Sequence, residues 1–438
     1  MKNSLRLTTY GLFAGTVLVS AFSLNAHALT LEDAVLKTLA DNPRIINAQQ
    51  NADQVDAEVD EAWGGYLPQV DLTASTGHER SNNPTTRGRG ANDPNTSYWR
   101  NESRLVVSQM LFDGWRTSSL VGQQRERLSA SNATLHETRE NTTLRAILAY
   151  FDVVRLAKLV ALAEENENNH KVYLDKITEQ ASGGQVSRAD IRQAAGRLAL
   201  AQSTLIDFKR QRDDAHATFV AVVGEQPTGL EAPTFLEEAN LPTTLEDAME
   251  TALANNPAVV AERHNVKAAS EAVRESKSAF LPRFDAELSA GRAHNLDGSQ
   301  GDNNEAVALV RMSYNLYAGG SDMARKRARI MRQGAANAEL TQRQREVREL
   351  TRQAWNSFTN TRARLTPLSE HVTAATQTRD AYKDQFDLGS RTLLDLLDSE
   401  IEVFNAKVSL TNADYAYNFS KYEVASLLGE LVTKFETK

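Results

Sequence analysis

The sequence predicts a mixed α and β protein, built mostly from long coiled-coil helices with two β-hairpins of transmembrane-barrel type. Three observations carry this. First, the chain is duplicated: Leu31-Glu32-Asp33-Ala34 with Asn42-Pro43 returns as Leu245-Glu246-Asp247-Ala248 with Asn256-Pro257, an offset of 214 (245 − 31). Phe112-Asp113-Gly114 and Gly224-Glu225 return as Tyr317-Ala318-Gly319 and Gly429-Glu430 at an offset of 205 (429 − 224), so a loop before residue 112 is nine residues longer (214 − 205) in the first copy. A period this long is a duplicated half-protein, not a solenoid unit. Second, Arg116 to about Ala181 and Ser321 to about Asp387 contain no proline except Pro367 and hardly any glycine. Third, four short segments alternate apolar and polar residues with a period of two.

Composition supports extended helices over an ordinary globule. Only 41% of the 438 residues are hydrophobic, the mean hydropathy is −0.46, and Ala, Leu, Glu, Gln and Arg fill long stretches. Residues 1–28 read as a secretory signal peptide: Lys2 and Arg6, then a short apolar run, then Ala26-His27-Ala28 as the cleavage pattern. Leu29, not cysteine, follows the expected cut, so no lipid anchor is expected there. The chain has no cysteine, which suits an oxidising compartment. Removing Lys2 and Arg6 takes the formal charge from −8 to −10, and an acidic chain argues against nucleic-acid binding. After the leader, no apolar run approaches the length of a membrane helix.

The elements follow in the same order in each copy. Residues 29–65 and 244–279 are expected to form short helices, opened by Thr30 with Asp33 and by Thr244 with Asp247 as capping pairs. Pro43 and Pro257 begin the second helix of each copy, where proline is tolerated. Residues 66–113 and 280–318 are expected to be hairpins of transmembrane-barrel type. Val70, Leu72 and Ala74 alternate with Asp71, Thr73 and Ser75, and Phe284, Ala286 and Leu288 with Asp285, Glu287 and Ser289. On the return, Leu105, Val107 and Leu111 match Val310, Met312 and Leu316 on one face. Segments of about ten residues suit a membrane-crossing strand; each alone better suits a half-buried sheet, and it is the shared register of all four across the repeat that favours the membrane. Four strands cannot close a barrel, so the membrane reading demands oligomerisation, and three protomers give twelve strands. Residues 114–226 and 319–430 are then a long helix, a tip turn and a return helix, with a linker at 227–243 and a tail at 431–438. Each long helix would run on the order of 100 Å and needs coiled-coil packing to persist.

The leader Leu-Glu-Asp-Ala with Asn-Pro, the strand entries Tyr66-Leu67-Pro68 and Phe280-Leu281-Pro282, and the exit Phe112-Asp113-Gly114 resemble the TolC family of outer-membrane export ducts. The turn Leu388-Gly389-Ser390-Arg391-Thr392-Leu393-Leu394-Asp395-Leu396-Leu397-Asp398 is similar to that family's second periplasmic turn. The resemblance spans essentially the whole chain after the leader. It implies a homotrimer in the Gram-negative outer membrane, with a twelve-stranded barrel continued by a helical tunnel in the periplasm. It also implies partners: outer-membrane lipid, a periplasmic adaptor, and an inner-membrane ABC exporter or drug pump.

No catalytic or cofactor constellation is legible. The eight histidines are scattered, no phosphate-binding loop is present, and neither metal nor cofactor is expected. The resemblance assigns the periplasmic gate to Asp395 and Asp398, three apart on one helical face and repeated around a threefold axis. The plainer account is two acids near a helix N-terminus, where acids are favoured in any protein. A latch is expected from Arg391 with Asp190, which answers Asp395 across the repeat, and from Phe386 where the family carries a tyrosine. Gly183, Gly184, Gln185, Val186 and Ser187, with Gly389, Ser390, Arg391 and Thr392, form the expected adaptor-docking tip; such glycines also simply close helical hairpins. The basic run Arg325-Lys326-Arg327-Ala328-Arg329 reads as a solvated helix face, with lipid headgroups as the other reading. Within the duct reading, the segments around Ser187–Asp190 and Arg391–Asp395 look closest to type I protein-secretion members. Small-molecule efflux is the alternative, and a non-pore periplasmic coiled-coil scaffold is the alternative of another class.

Overall fold

The computed structural model describes residues 29–88, 95–182 and 187–436. Each copy opens with two helices, α1 (Leu31–Asp41) and α2 (Pro43–Gly64) in the first. The Asn-Pro motif between them does two jobs at once. Asn42 Oδ1 accepts from the Arg44 amide (3.0 Å), capping α2, while its Nδ2 donates to the carbonyl of Val222 (2.9 Å). Val222 lies in the last turn of the return helix, whose final carbonyls have no partner within the helix. Asn256 repeats this in the second copy, accepting from the Ala258 amide (3.1 Å) and donating to the carbonyl of Leu427 (2.9 Å). The leader of each copy therefore seals the end of that copy.

The strands are β1 (Gln69–Ser81) and β2 (Thr96–Phe112), joined through the four-residue helix α3 (Pro84–Arg87). The nine extra residues of the first copy fall in this connection. It is docked: Thr86 is buried, and Asn83 Nδ2 donates to the carbonyl of Asp297 (2.8 Å) in the second outer loop. Asp113 then caps the first long helix, α4 (Arg116–Ser182), accepting from the amide (2.7 Å) and hydroxyl (2.6 Å) of Thr117. Gly114 is required in this exit, because its φ is +69° and a Cβ would meet Leu281 and Ser278 at 3.0 Å. The return helix α5 (Arg188–Val223) closes the first copy.

The second copy supplies α6 (Leu245–Asn255), α7 (Pro257–Glu275), β3 (Arg283–His294), β4 (Asp302–Ser313), α8 (Ser321–Asp387) and α9 (Leu393–Leu427). A short α10 (Thr433–Glu436) follows. Both long helices have 67 residues, about 100 Å at 1.5 Å per residue. The strands form one antiparallel sheet in the order β1-β2-β3-β4. Two details depart from the alternation in sequence. Pairing shifts between Met110 and Phe112, taking Leu111 out of simple alternation, and β4 ends at Ser313, leaving Leu316 beyond the sheet.

One sheet face carries Val70 and Leu72, opposite Val107 and Leu105, then Leu288 and Ala290, then Ala308 and Ala306. Leu72 is 72% exposed and Val310, on the same face, 65%. The other face carries Asp71, Thr73, Arg104, Glu287, Glu305 and Arg311. Neither face is covered by another element, so an apolar face lies open, the reverse of a water-soluble sheet.

The largest core lies at mid-height, where α4, α5, α8, α9, both leaders and the linker meet. Phe151 is boxed by Phe235, Tyr415 and Tyr422 at centroid distances of 5.5, 5.9 and 5.7 Å. The Tyr150 hydroxyl donates to the carbonyls of Leu29 and Glu231, both at 2.9 Å. Nearby, Glu140 on α4 is buried and accepts from the amides of Leu431 (3.2 Å) and Val432 (3.1 Å), stapling the C-terminal segment to the wall. Burial pushes its carboxyl up to about 7 despite those two amides.

Two outcomes follow. Asn42→Ala or Asn256→Ala removes a cap and strands a buried carbonyl, an expected loss of about 1–3 kcal/mol, read as faster amide exchange over the last turn of α5 or α9 respectively. The Glu140 proton is bound more tightly in the folded chain, so its contribution favours folding in acid and is lost as pH rises from 4.5 to about 7. Amide protection at 428–436 should therefore fall across that window, and Glu140→Gln should flatten the profile.

Candidate functional site

At the end of the tunnel wall remote from the sheet, two hairpin tips pack side by side. Tyr173, Ile177 and Ala194 from the first copy meet Phe386, Leu393, Leu396 and Leu397 from the second in one buried cluster. Ser187 caps α5, its amide and hydroxyl both donating to Asp190 Oδ2 (3.0 and 2.8 Å). Thr392 caps α9 in the same way, its hydroxyl donating to Asp395 Oδ2 (2.7 Å). The second turn reverses through Gly389 at φ +73°, with the Ser390 amide donating to the carbonyl of Gln385 (2.9 Å). Leu388 is 83% exposed there. Of the expected tip, Gly183, Gly184, Gln185 and Val186 lie outside the described residues.

Asp395 and Asp398 line one cavity of about 420 Å³ between α8 and α9, together with Glu402, His371 and Tyr382. Glu402 extends the acidic stripe by one turn and accepts from His371 Nε2 (2.8 Å) in the tautomer that carries its proton there. Arg197 of α5 donates to Asp398 Oδ1 (2.7 Å), so the first copy supplies the counter-charge. Glu402 was missed in sequence although its signal was present: it stands four residues after Asp398, on the same helical face.

The expected latch is not formed within the protomer. Arg391 lays its guanidinium 3.8 Å from the centre of the Tyr382 ring, and it pairs with Asp395 in the first turn of the helix that follows it (3.6 Å). Asp190 is held by its own cap. Phe386 is buried in the tip cluster with the ammonium of Lys176 over its ring (5.7 Å), so the aromatic that faces Arg391 is Tyr382, one turn earlier. The difference is one of helical phase: position 386 points into the protomer and position 382 toward the turn.

Above the tip, a buried ionic network ties the two copies together. Glu400 accepts from Arg379 Nη1 (3.0 and 3.2 Å), the Tyr173 hydroxyl (2.7 Å) and Asn169 Nδ2 (3.3 Å). Burial and Glu400 together hold the Tyr173 phenol far above its ordinary range. This network joins α4 to α8 through α9, and it fixes the register of one helical hairpin against the other. Among the described residues, no group of three or more His, Asp or Glu is arranged to hold a metal ion. No described helix is long and apolar enough to cross a membrane, so any crossing rests on the sheet.

A wall of paired 67-residue helices carrying an open, outwardly apolar sheet is the protomer architecture of an outer-membrane channel with a periplasmic tunnel. The chain belongs to the outer membrane efflux protein family, matched over residues 35–225 and 248–430, one segment for each copy. That is a family of transport, not of catalysis. Outer membrane efflux protein BepC of Brucella suis is 26% identical over 96% of this chain and 89% of its own length. Alkaline protease secretion protein AprF of Pseudomonas aeruginosa is 24% identical over 92% of this chain and 85% of its own. Among solved structures, the channel CusC superposes with a TM-score of 0.79 at 15% identity, covering 92% of both chains.

The Glu400 network gives a direct test. Arg379→Ala leaves a buried carboxylate unpaired, at an expected cost of about 3–5 kcal/mol. Amide exchange should accelerate together in 169–177 and 393–403, whereas Arg379→Met with Glu400→Leu should recover most of the protection. Exchange confined to one of the two segments would show that the network does not couple the hairpins.

Proposed function

We propose that the protein acts as a homotrimeric duct that exports cargo across the outer membrane for an inner-membrane pump and a periplasmic adaptor. The observation that carries the trimer is the sheet. Among the described residues, β1 and β4 each leave one edge unpaired, and the two edges run antiparallel. In lipid such edges must pair, and head-to-tail pairing of three protomers closes twelve strands with the apolar face outward. The helices then continue that ring as the tunnel.

Our reading of the tip is a gate. Around a threefold axis, Asp395, Asp398 and Glu402 repeat as three acidic rings, which favour cations and resist anions at a narrow closure. Arg391, stacked on Tyr382 beside the tip turn, is the residue we assign to a latch with Asp190 of a neighbouring protomer. Exposed Leu388, with Gly389, Ser390, Arg391, Thr392 and Ser187, forms the adaptor-docking surface.

For cargo, we favour protein secretion with an ABC exporter, on the turn sequences around Ser187–Asp190 and Arg391–Asp395 and on the similarity to AprF. Efflux of small molecules is the second reading, favoured by the similarity to BepC, itself named an efflux protein. Crosslinked co-purification from cells decides between them: recovery of an ABC exporter supports secretion, and recovery of a proton-driven drug pump overturns it. For the gate, Asp395→Asn with Asp398→Asn should lower cation selectivity and weaken block by multivalent cations at least tenfold in planar bilayers. Arg391→Ala should raise conductance; unchanged conductance and block in these variants would sink the gate and latch.

A further inference from the structure

The basic run at the start of α8 divides into two parts in the structure. Arg325 pairs with Asp322 (3.0 Å), and Lys326 lies over the ring of Phe280 (5.8 Å). Arg329 and Arg332, one turn apart, instead converge with Arg127 of α4 over a groove of about 230 Å³ whose floor is the small-residue face of α7, including Ala269. Asn265 stands at the rim with its Nδ2 donating to Glu262 Oε2 (3.1 Å), and no carboxylate lines the groove itself. Among the described residues neither Arg329 nor Arg332 has an ion-pair partner, and the Arg127 guanidinium donates only to Gln124 Oε1 (3.3 Å). Residues 323–338 hold five basic side chains and no acidic one, in a chain of net charge −8.

Three guanidinium groups sharing a groove repel one another unless an anion sits among them, and their planar forks match phosphate oxygens. Their height matters as much as their charge. Helices α4 and α8 both start at the sheet and run away from it, and exposed Trp115, Tyr314 and Tyr317 mark the junction as an interfacial aromatic belt. Arg329 is eight residues into α8, about 12 Å along the axis. Side chains on a helix lean toward its N-terminus, which here is the membrane end for all three arginines. Long arginine stems reaching back along the wall bring their charges to headgroup depth.

We infer that Arg127, Arg329 and Arg332 form a phosphate-binding groove, and that its occupant is the headgroup phosphate of an anionic phospholipid in the periplasmic leaflet. A zwitterionic choline headgroup would set its own cation among the arginines and is disfavoured. All three side chains come from one protomer, while the headgroup depth of the groove rests on the outer-membrane duct reading above.

The test uses the full chain, extracted in detergent and incubated with mixed micelles of phosphatidylglycerol and phosphatidylcholine, with retained lipid read by native mass spectrometry. The wild type should retain phosphatidylglycerol selectively. Arg127→Gln/Arg329→Gln/Arg332→Gln should lower its retention about tenfold, and so should Ala269→Glu, which places a carboxylate on the groove floor. Arg325→Gln/Arg327→Gln, outside the groove, should retain lipid as the wild type does. An unchanged electrophoretic assembly state shows that the variants still fold. Equal retention by the wild type and both groove variants overturns the site. Arginine-dependent binding of inorganic phosphate without selectivity for phosphatidylglycerol overturns the lipid assignment.

Discussion

A β-sheet whose outward face is apolar and whose two edges are open cannot exist alone in either water or lipid. In water, Leu72, Val310 and Met312 would lie bare; in lipid, the edge amides and carbonyls of β1 and β4 would have no partner. The only arrangement that satisfies both faces and both edges is a closed ring of copies. That ring fixes its own circumference, and everything below it inherits the dimension. The helices need not be strongly hydrophobic, because each is flanked by neighbours in a wall. This is why a mean hydropathy of −0.46 is compatible with a membrane protein.

A wall that long needs one place where its parts are tied, and the chain puts it at mid-height. Tyr150 gathers the carbonyls of Leu29 and Glu231, Asn42 and Asn256 seal the return helices, and Glu140 holds the C-terminal segment. All of these are side chain to backbone bonds spanning large sequence separations, so they close topology without adding bulk. Toward the tip, cohesion comes from the small cluster around Phe386 and from the Glu400 network.

Much of this was legible in sequence because it repeats. Caps, prolines, glycine turns and strand alternation are local, and each appeared twice at a constant offset, so Thr30 with Asp33, Asn42-Pro43 and both 67-residue helices follow from spacing alone. The double role of Asn42 was not legible, since spacing reveals a cap but not the carbonyl of Val222 on its other side. That Tyr382 and not Phe386 lies against Arg391 within the protomer was not legible for the same kind of reason. Which of Tyr382 and Phe386 faces the turn depends on the rotation of α8 against α9, set by packing of the tip cluster. Glu400 with Arg379 and Tyr173 involves three helices and has no single-helix signature.

The repeat is most instructive where it fails. Asp190 and Asp395 are equivalent, and both serve as carboxylates of helix caps, so the acid there has a local explanation in each copy. One and two turns on, the copies part: Gln193 and Arg197 in the first stand where Asp398 and Glu402 stand in the second, at the same offset of 205 (398 − 193). Likewise Leu174 and Ala195 stand where Arg379 and Glu400 stand. Duplication thus supplied a neutral or basic hairpin and an acidic one, which now pair through Arg197 and Asp398. The shared residues specify two interchangeable pieces of wall. The divergent ones let the pieces bind each other across the repeat, through Arg197 with Asp398 and Tyr173 with Glu400, so that two copies of one plan meet through unlike faces.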